Sequence, residues 1–261
     1  MPELTYASYL KVDRLLELQE PRSTPPEHDE MLFIVIHQVY ELWFKQMLHE
    51  IAKVKRDFTG NDLWGAMHTL GRIRHILKVA VAQLDILETM TPMSFAAFRE
   101  RLETASGFQS VQFREFEFAL GYRRAKMVRY HPEGSEARAC LERRLAERSL
   151  YDHFYDFLEH QGVAIPAALR EKPVEESTRP HEAIQREILR LYRTRPDLAG
   201  LFEVLTDIDE GIQEWRYRHV KLVERTIGNK KGTGGSLGVA FLKESLFHPV
   251  FPDLWEIRQE L

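Results

Sequence analysis

Apolar residues recur at three- and four-residue intervals along most of the chain, and strand-like alternation of apolar and polar positions is scarce. This periodicity predicts an all-α fold. A first amphipathic stretch, an N-terminal helix within residues 1–20, brings Tyr6, Tyr9, Leu10 and Leu16 near one another, and PRSTPPEHDE then reads as a Pro-rich connection. A long helix is expected from about Asp29 to Lys55. Asp62 should cap the next, whose stripe of Leu63, Leu70, Ile73, Leu77, Val81 and Leu84 stops before Pro92. Ser94 is the expected cap of a shorter helix, Phe95 to Leu102. Over VQFREFEFALG both periods fit, since Phe116, Phe118 and Leu120 alternate while Phe113, Phe116 and Leu120 are helical; we read it as helix. Residues 122–195 are charged and broken by Pro132, Gly134, Gly162, Pro166, Pro173 and Pro180, which predicts short peripheral helices. The most regular run, Asp197 to Ile227, puts Leu201, Leu205, Ile208, Ile212, Trp215, His219, Leu222 and Thr226 on one face and ends at Gly228. No repeat of fixed period is present, so residues 1–261 are expected to form a single large helical domain.

Composition narrows the function classes. With 36 Lys and Arg against 40 Asp and Glu, the net charge of -4 gives no basic surplus for nucleic acid. The start MPELTYASYL lacks the basic and apolar regions of a signal peptide, and no apolar run reaches the ~20 residues of a membrane span, so a cytoplasmic protein without membrane partners is expected. A single cysteine, Cys140, excludes an internal disulfide and Cys-rich metal sites. None of the 11 His has a Glu three residues before it, which removes the di-iron bundle signature. His28-Asp29-Glu30 contains the His-x-Glu of a non-haem iron triad, but its acids equally suit the positive start of a helix.

Four positions remain as candidates. His219 lies inside an apolar stripe, where it is either a core histidine satisfied by a carbonyl or the one protein nitrogen that a haem needs. His37 shares a face with Phe33 and Tyr40, and is either a second core histidine or a hydrogen-bonding group on the opposite wall of one pocket. Arg99, on the face of Phe95 and Leu102, is either a snorkelling surface residue or a guanidinium that grips a carboxylate. In GNKKGTGGSLG, five of the chain's 14 Gly fall within residues 228–238, a connector or an anion-facing lid that carries Thr233.

The runs HDEMLFIVIHQVYELWFK, MSFAAFRERLETASGFQSVQFR and WRYRHVKLVERTIGNKKGTGGSLG closely resemble the tryptophan 2,3-dioxygenase family, along a match from about Leu4 to the mid-250s that is weakest across residues 122–195. The resemblance implies a ferrous haem b held between long helices, with His219 as axial ligand to the iron and His37 as the distal, catalytic histidine. It implies a substrate pocket of Phe33, Ile34, Val35, Ile36, His37, Phe95, Leu102, Ser106 and Gly107, with Arg99 on the carboxylate of L-tryptophan and Thr233 on its ammonium group. Tyr6, Tyr9 and Leu10 would complete a neighbouring subunit's site in a homotetramer. The implied reaction inserts both atoms of O2 across the indole C2–C3 bond to give N-formyl-L-kynurenine. Phe95 stands where some members carry Tyr, so Arg99 is expected to carry more of the carboxylate binding. Haem-dependent monooxygenation of an indole or aromatic amino acid on the same scaffold, and a non-enzymatic haem sensor, are the alternatives.

Overall fold

A computed structural model describes residues 3–230, 232 and 238–261. Three long helices frame the molecule: α3 (His28–Thr59), α4 (Leu63–Leu87) and α11 (Pro196–Ile227). Their length follows from unbroken stripes. On α3 the buried residues Ile36, Tyr40, Phe44, Met47, Ile51, Val54 and Phe58 advance by three or four, and the stripe packs on α4, which packs in turn on α11. Asp62 caps α4 by accepting from the Gly65 amide at 2.9 Å, as its position predicted. The Tyr40 hydroxyl donates to the Ala80 carbonyl oxygen at 2.8 Å, a cross-link that fixes α3 against α4. Gly228, with φ of 59°, ends α11 in a conformation that costs other residues energy. Among the described residues there is no strand, and no helix is long and apolar enough to cross a membrane.

The N-terminal segment is two short helices, α1 (Tyr6–Leu10) and α2 (Val12–Leu16), in place of the single one expected. Lys11 breaks them with φ of 55°. Neither helix buries a residue, and Tyr6 is 77% and Tyr9 69% exposed. The connection that follows is anchored by Glu30, whose buried carboxylate accepts from the Arg22 and Ser23 amides at 2.7 and 3.0 Å and from the Ser23 hydroxyl at 2.5 Å. Glu30 is therefore an anchor for backbone, and no cluster among the described residues could hold a metal ion by His, Cys and carboxylates.

Two further expectations need correction. Thr91, not Ser94, caps α5 (Pro92–Arg99): its hydroxyl accepts from the Ser94 amide at 3.0 Å, and Pro92 occupies the first turn, where a missing N–H costs nothing. The chain then tightens into a 3-10 turn over Glu100–Leu102. Residues 122–195 are not peripheral throughout. Past α6 (Val111–Leu120) and α7 (Glu136–Ala146), α8 (Leu150–His160) buries Tyr151, Phe154, Tyr155, Phe157 and Leu158. Phe58 of α3 meets Phe154 and Phe157 at ring separations of 5.8 and 5.3 Å. Each such ring contributes about 1.5–3 kcal/mol by leaving water. After α9 (Ala167–Arg170), α10 (Glu182–Thr194) adds Ile184, Ile188 and Leu191 to the same core.

The C-terminal segment, with α12 (Val239–Lys243) and α13 (Pro252–Glu256), is pinned by two buried carboxylates. Asp209 of α11 accepts from the Val250 and Phe251 amides and the Trp255 indole, each at 2.9 Å. Asp253 accepts from the Tyr151 hydroxyl at 2.5 Å and from the His181 amide at 2.6 Å.

Candidate active site

One cavity of about 240 Å³ opens between α3, α4, α5, α6, α11 and α12. On α3, Phe33, His37 and Tyr40 face it at spacings of four and three, while Ile34, Val35 and Ile36 do not line it. Helical geometry explains the split: Ile36 turns into the core and Val35 outward, 38% exposed. Phe95, Arg99 and Leu102 form a second wall, continued by Ser106 and Gly107 after the 3-10 turn. Trp215, His219 and Leu222 of α11 supply the third. Tyr6, Tyr9 and Leu10 lie on the exposed surface away from this chain's cavity, and Thr233 lies outside the described residues.

The two histidines differ in their bonding. His37 Nδ1 lies 2.7 Å from the Phe33 carbonyl oxygen, so that nitrogen carries the proton and donates. Nε2 is then left as an acceptor. Burial pushes the His37 pKa down and keeps the ring neutral, outweighing the Phe33 hydrogen bond and Glu41. The ring packs on Phe33 at 4.1 Å, and Phe33 meets Phe95 at 5.8 Å, giving an aromatic wall. His219 has no hydrogen bond among the described residues, and its ring lies parallel to Trp215 at 5.1 Å and 8°. Burial, with the repulsion that a protonated His37 would add and the Arg114 guanidinium nearby, brings its pKa to about 4. A neutral imidazole with a free ring nitrogen, at the wall of an apolar cavity, has the chemistry of a metal-ligating base. Trp215 is itself held by edge contacts from Tyr40 at 6.0 Å and Phe44 at 6.2 Å. Arg99 is half-buried at the cavity's edge, at the end of α5.

The sequence reading missed three cationic residues of the wall, Arg114, Arg124 and Arg216. All three bond to Glu117, which burial alone would push up in pKa but which Arg114, Arg216 and Arg124 hold at about 2. The Arg114–Glu117 spacing of three was legible. The arrival of Arg216 from 99 residues away was not.

A family model described as tryptophan 2,3-dioxygenase matches residues 1–166 and 167–261. This chain belongs to the tryptophan 2,3-dioxygenase family. Proteins named tryptophan 2,3-dioxygenase are similar over almost their full length: that of Herpetosiphon aurantiacus is 54% identical over 258 residues, covering 99% of this chain and 98% of the relative. That of Anaeromyxobacter sp. (strain K) is 51% identical, covering 99% and 96%, and that of Caulobacter vibrioides 40%, covering 99% of both. The likeness therefore includes residues 122–195, whose α8 belongs to the core.

Proposed function

We propose that this chain is a haem-dependent dioxygenase that opens the indole ring of L-tryptophan, converting it with O2 to N-formyl-L-kynurenine. The observation that carries this reading is one cavity in which His219 and His37 share an apolar, aromatic-lined space with Arg99 at its edge. The residues fit a haem: His219 offers an imidazole without a hydrogen-bond partner among the described residues, the walls are largely apolar, and a buried cationic cluster adjoins them. His219 would hold the iron. When bound, ferrous haem would supply the dioxygen chemistry, by which both atoms of O2 enter the product.

The protein's part is binding and orientation. Arg99 grips the substrate carboxylate with a planar fork, which fixes the amino-acid end. His37 Nε2 accepts the indole N–H and turns C2 and C3 toward the reaction centre. Phe33, Phe95 and Leu102 sandwich the ring and exclude water. Thr233 is assigned to the ammonium group by likeness to the family's motif. Phe95 has no hydroxyl to share the carboxylate, so the load falls on Arg99. The active species is a homotetramer: the exposed Tyr6, Tyr9 and Leu10 form an apolar face that a neighbouring subunit's cavity would bury. The free thiol of Cys140 accords with a reducing compartment such as the cytoplasm.

The test is stoichiometric. Purified protein reduced with haem and given L-tryptophan should consume one O2 per N-formylkynurenine formed, with no reductant spent in turnover. Hydroxylated indole as the main product, or haem binding that tryptophan does not perturb, would move the assignment to a monooxygenase or a sensor.

A further inference from the structure

The charge around Glu117 does not balance. Its carboxylate accepts from Arg114 Nη1 at 2.7 Å, Arg124 Nη2 at 2.9 Å and Arg216 Nη2 at 2.8 Å, and Arg114, Glu117 and Arg216 are each at least 95% buried. Three guanidiniums against one carboxylate leave two positive charges inside the protein. The next acid outward, Glu244, is exposed and paired with Lys126 at 2.8 Å. Aromatic faces cover part of the cluster, Phe113 under Arg114 at 5.1 Å and Tyr122 under Arg216 at 4.7 Å. Such contacts contribute about 0.5–2 kcal/mol each, less than the several kcal/mol that each desolvated ion costs. The two remaining charges need a counter-ion.

The cluster faces the place where one would come from. Arg114, Arg124 and Arg216 all line the cavity. Arg114 gives Nη1 to Glu117, while its Nη2 makes no hydrogen bond among the described residues. The Nε groups of all three arginines are likewise without a partner. The substrate's single carboxylate is already assigned to Arg99 on a different wall. A flat, apolar body bearing two carboxylates is what an aromatic cavity with two surplus charges at one end selects.

We propose that Arg114, Arg124 and Arg216 receive the propionate side chains of the haem and so decide which edge of the macrocycle enters the α6–α11 end of the cavity. This rests on the haem reading above. Glu117 is then a positioning residue, holding three mutually repelling guanidiniums together at the cavity wall.

The test compares haem with its dimethyl ester, whose acid groups are blocked, each titrated into the full-length chain and followed by Soret absorbance. Wild type should bind haem at least tenfold more tightly than the ester. Arg114→Met, which leaves Glu117 paired with Arg124 and Arg216, should lose most of that preference while still melting cooperatively when unloaded. Arg114→Lys, retaining charge without the fork, should fall between. Equal affinity of wild type for haem and ester, both giving Soret bands, overturns the propionate assignment and leaves the haem reading standing. The same equality, together with stabilisation of unloaded wild type but not Arg114→Met by inorganic phosphate, assigns the cluster to a free anion and also overturns it. Failure of wild type to bind either porphyrin sinks the haem reading itself, and this proposal with it.

Discussion

Replacing His37 by alanine removes one acceptor from the cavity and little else. Its Nδ1–H bond runs to the carbonyl oxygen one turn back on its own helix, at 2.7 Å, so its loss leaves α3 intact. What disappears is Nε2, the acceptor proposed for the indole N–H. In the variant that N–H lies against Phe33, Phe95 and Leu102, none of which can accept it. A buried donor left unsatisfied costs about 1–3 kcal/mol, or roughly 5- to 150-fold in kcat/KM. The space vacated by the ring admits water, which favours the lower half of that range. The assay sets L-tryptophan against its benzothiophene analogue, in which sulfur replaces N–H, for both proteins at matched haem content. Intrinsic reactivity differs between the two substrates, but it cancels when the wild-type ratio is divided by the His37→Ala ratio. That quotient should be about 5 or more. A quotient near one refutes the hydrogen bond to His37. Complete inactivation with normal haem content and tryptophan binding would instead show that His37 moves an essential proton.

Other outcomes are equally specific. His219→Ala should keep its far-ultraviolet circular dichroism and lose stoichiometric haem; an unchanged Soret band in that variant ends its assignment as ligand. Arg99→Lys should lose about 30-fold to several thousand-fold in kcat/KM for L-tryptophan, the ~2–5 kcal/mol of a broken desolvated charge pair, and equal wild-type efficiency on tryptamine would falsify the carboxylate clamp. Glu117 has a folded pKa of about 2 against an ordinary 4.5, so its stabilising effect is complete above pH 4.5 and fades as pH falls toward 2. Linkage makes the loss about 3 kcal/mol. Urea midpoints at pH 7 and pH 3 should therefore differ less in Glu117→Gln than in wild type, and an equal drop in both refutes this. Deleting residues 1–18 should reduce both oligomer and turnover; a truncated protein with unaltered assembly and kinetics removes α1 and α2 from the site.

How much of this was legible depended on whether the signal was local. The stripes of α3, α4 and α11 are runs of one-dimensional periodicity, and they returned the three framing helices and the faces bearing His37 and His219. Local chemistry also misled: Ser94 looked like a cap, but Thr91 with Pro92 after it made the better first turn. Charge hid α8, since Asp152, Asp156 and Glu159 lie among the buried aromatics of a helix whose polar face is laced to Arg148 and Arg170. Ile34, Val35 and Ile36 followed Phe33 in the resemblance, yet a helix shows a cavity only one residue in three or four. The Glu117 cluster joins α6 to the middle of α11, a juxtaposition that no window of sequence contains.

The Asp209 clasp bears on how such a chain can drift over generations. Of the three donors that meet it at 2.9 Å, two are backbone amides, of Val250 and Phe251. Every residue but proline offers that amide, so changes of side chain at those two positions leave the bonds in place. The reverse does not hold: when Asp209 itself changes, no substitution opposite can restore an acceptor, and buried amides without one are costly. The constraint is thus one-sided, falling on a single codon. It also fixes register, because Asp209 counts where residues 250 and 251 stand and not what they are. Insertions or deletions in the stretch after Gly228 can be absorbed as long as the chain still delivers two successive N–H groups to that carboxylate. Lineages should therefore vary in the length of this connection while the aspartate stays.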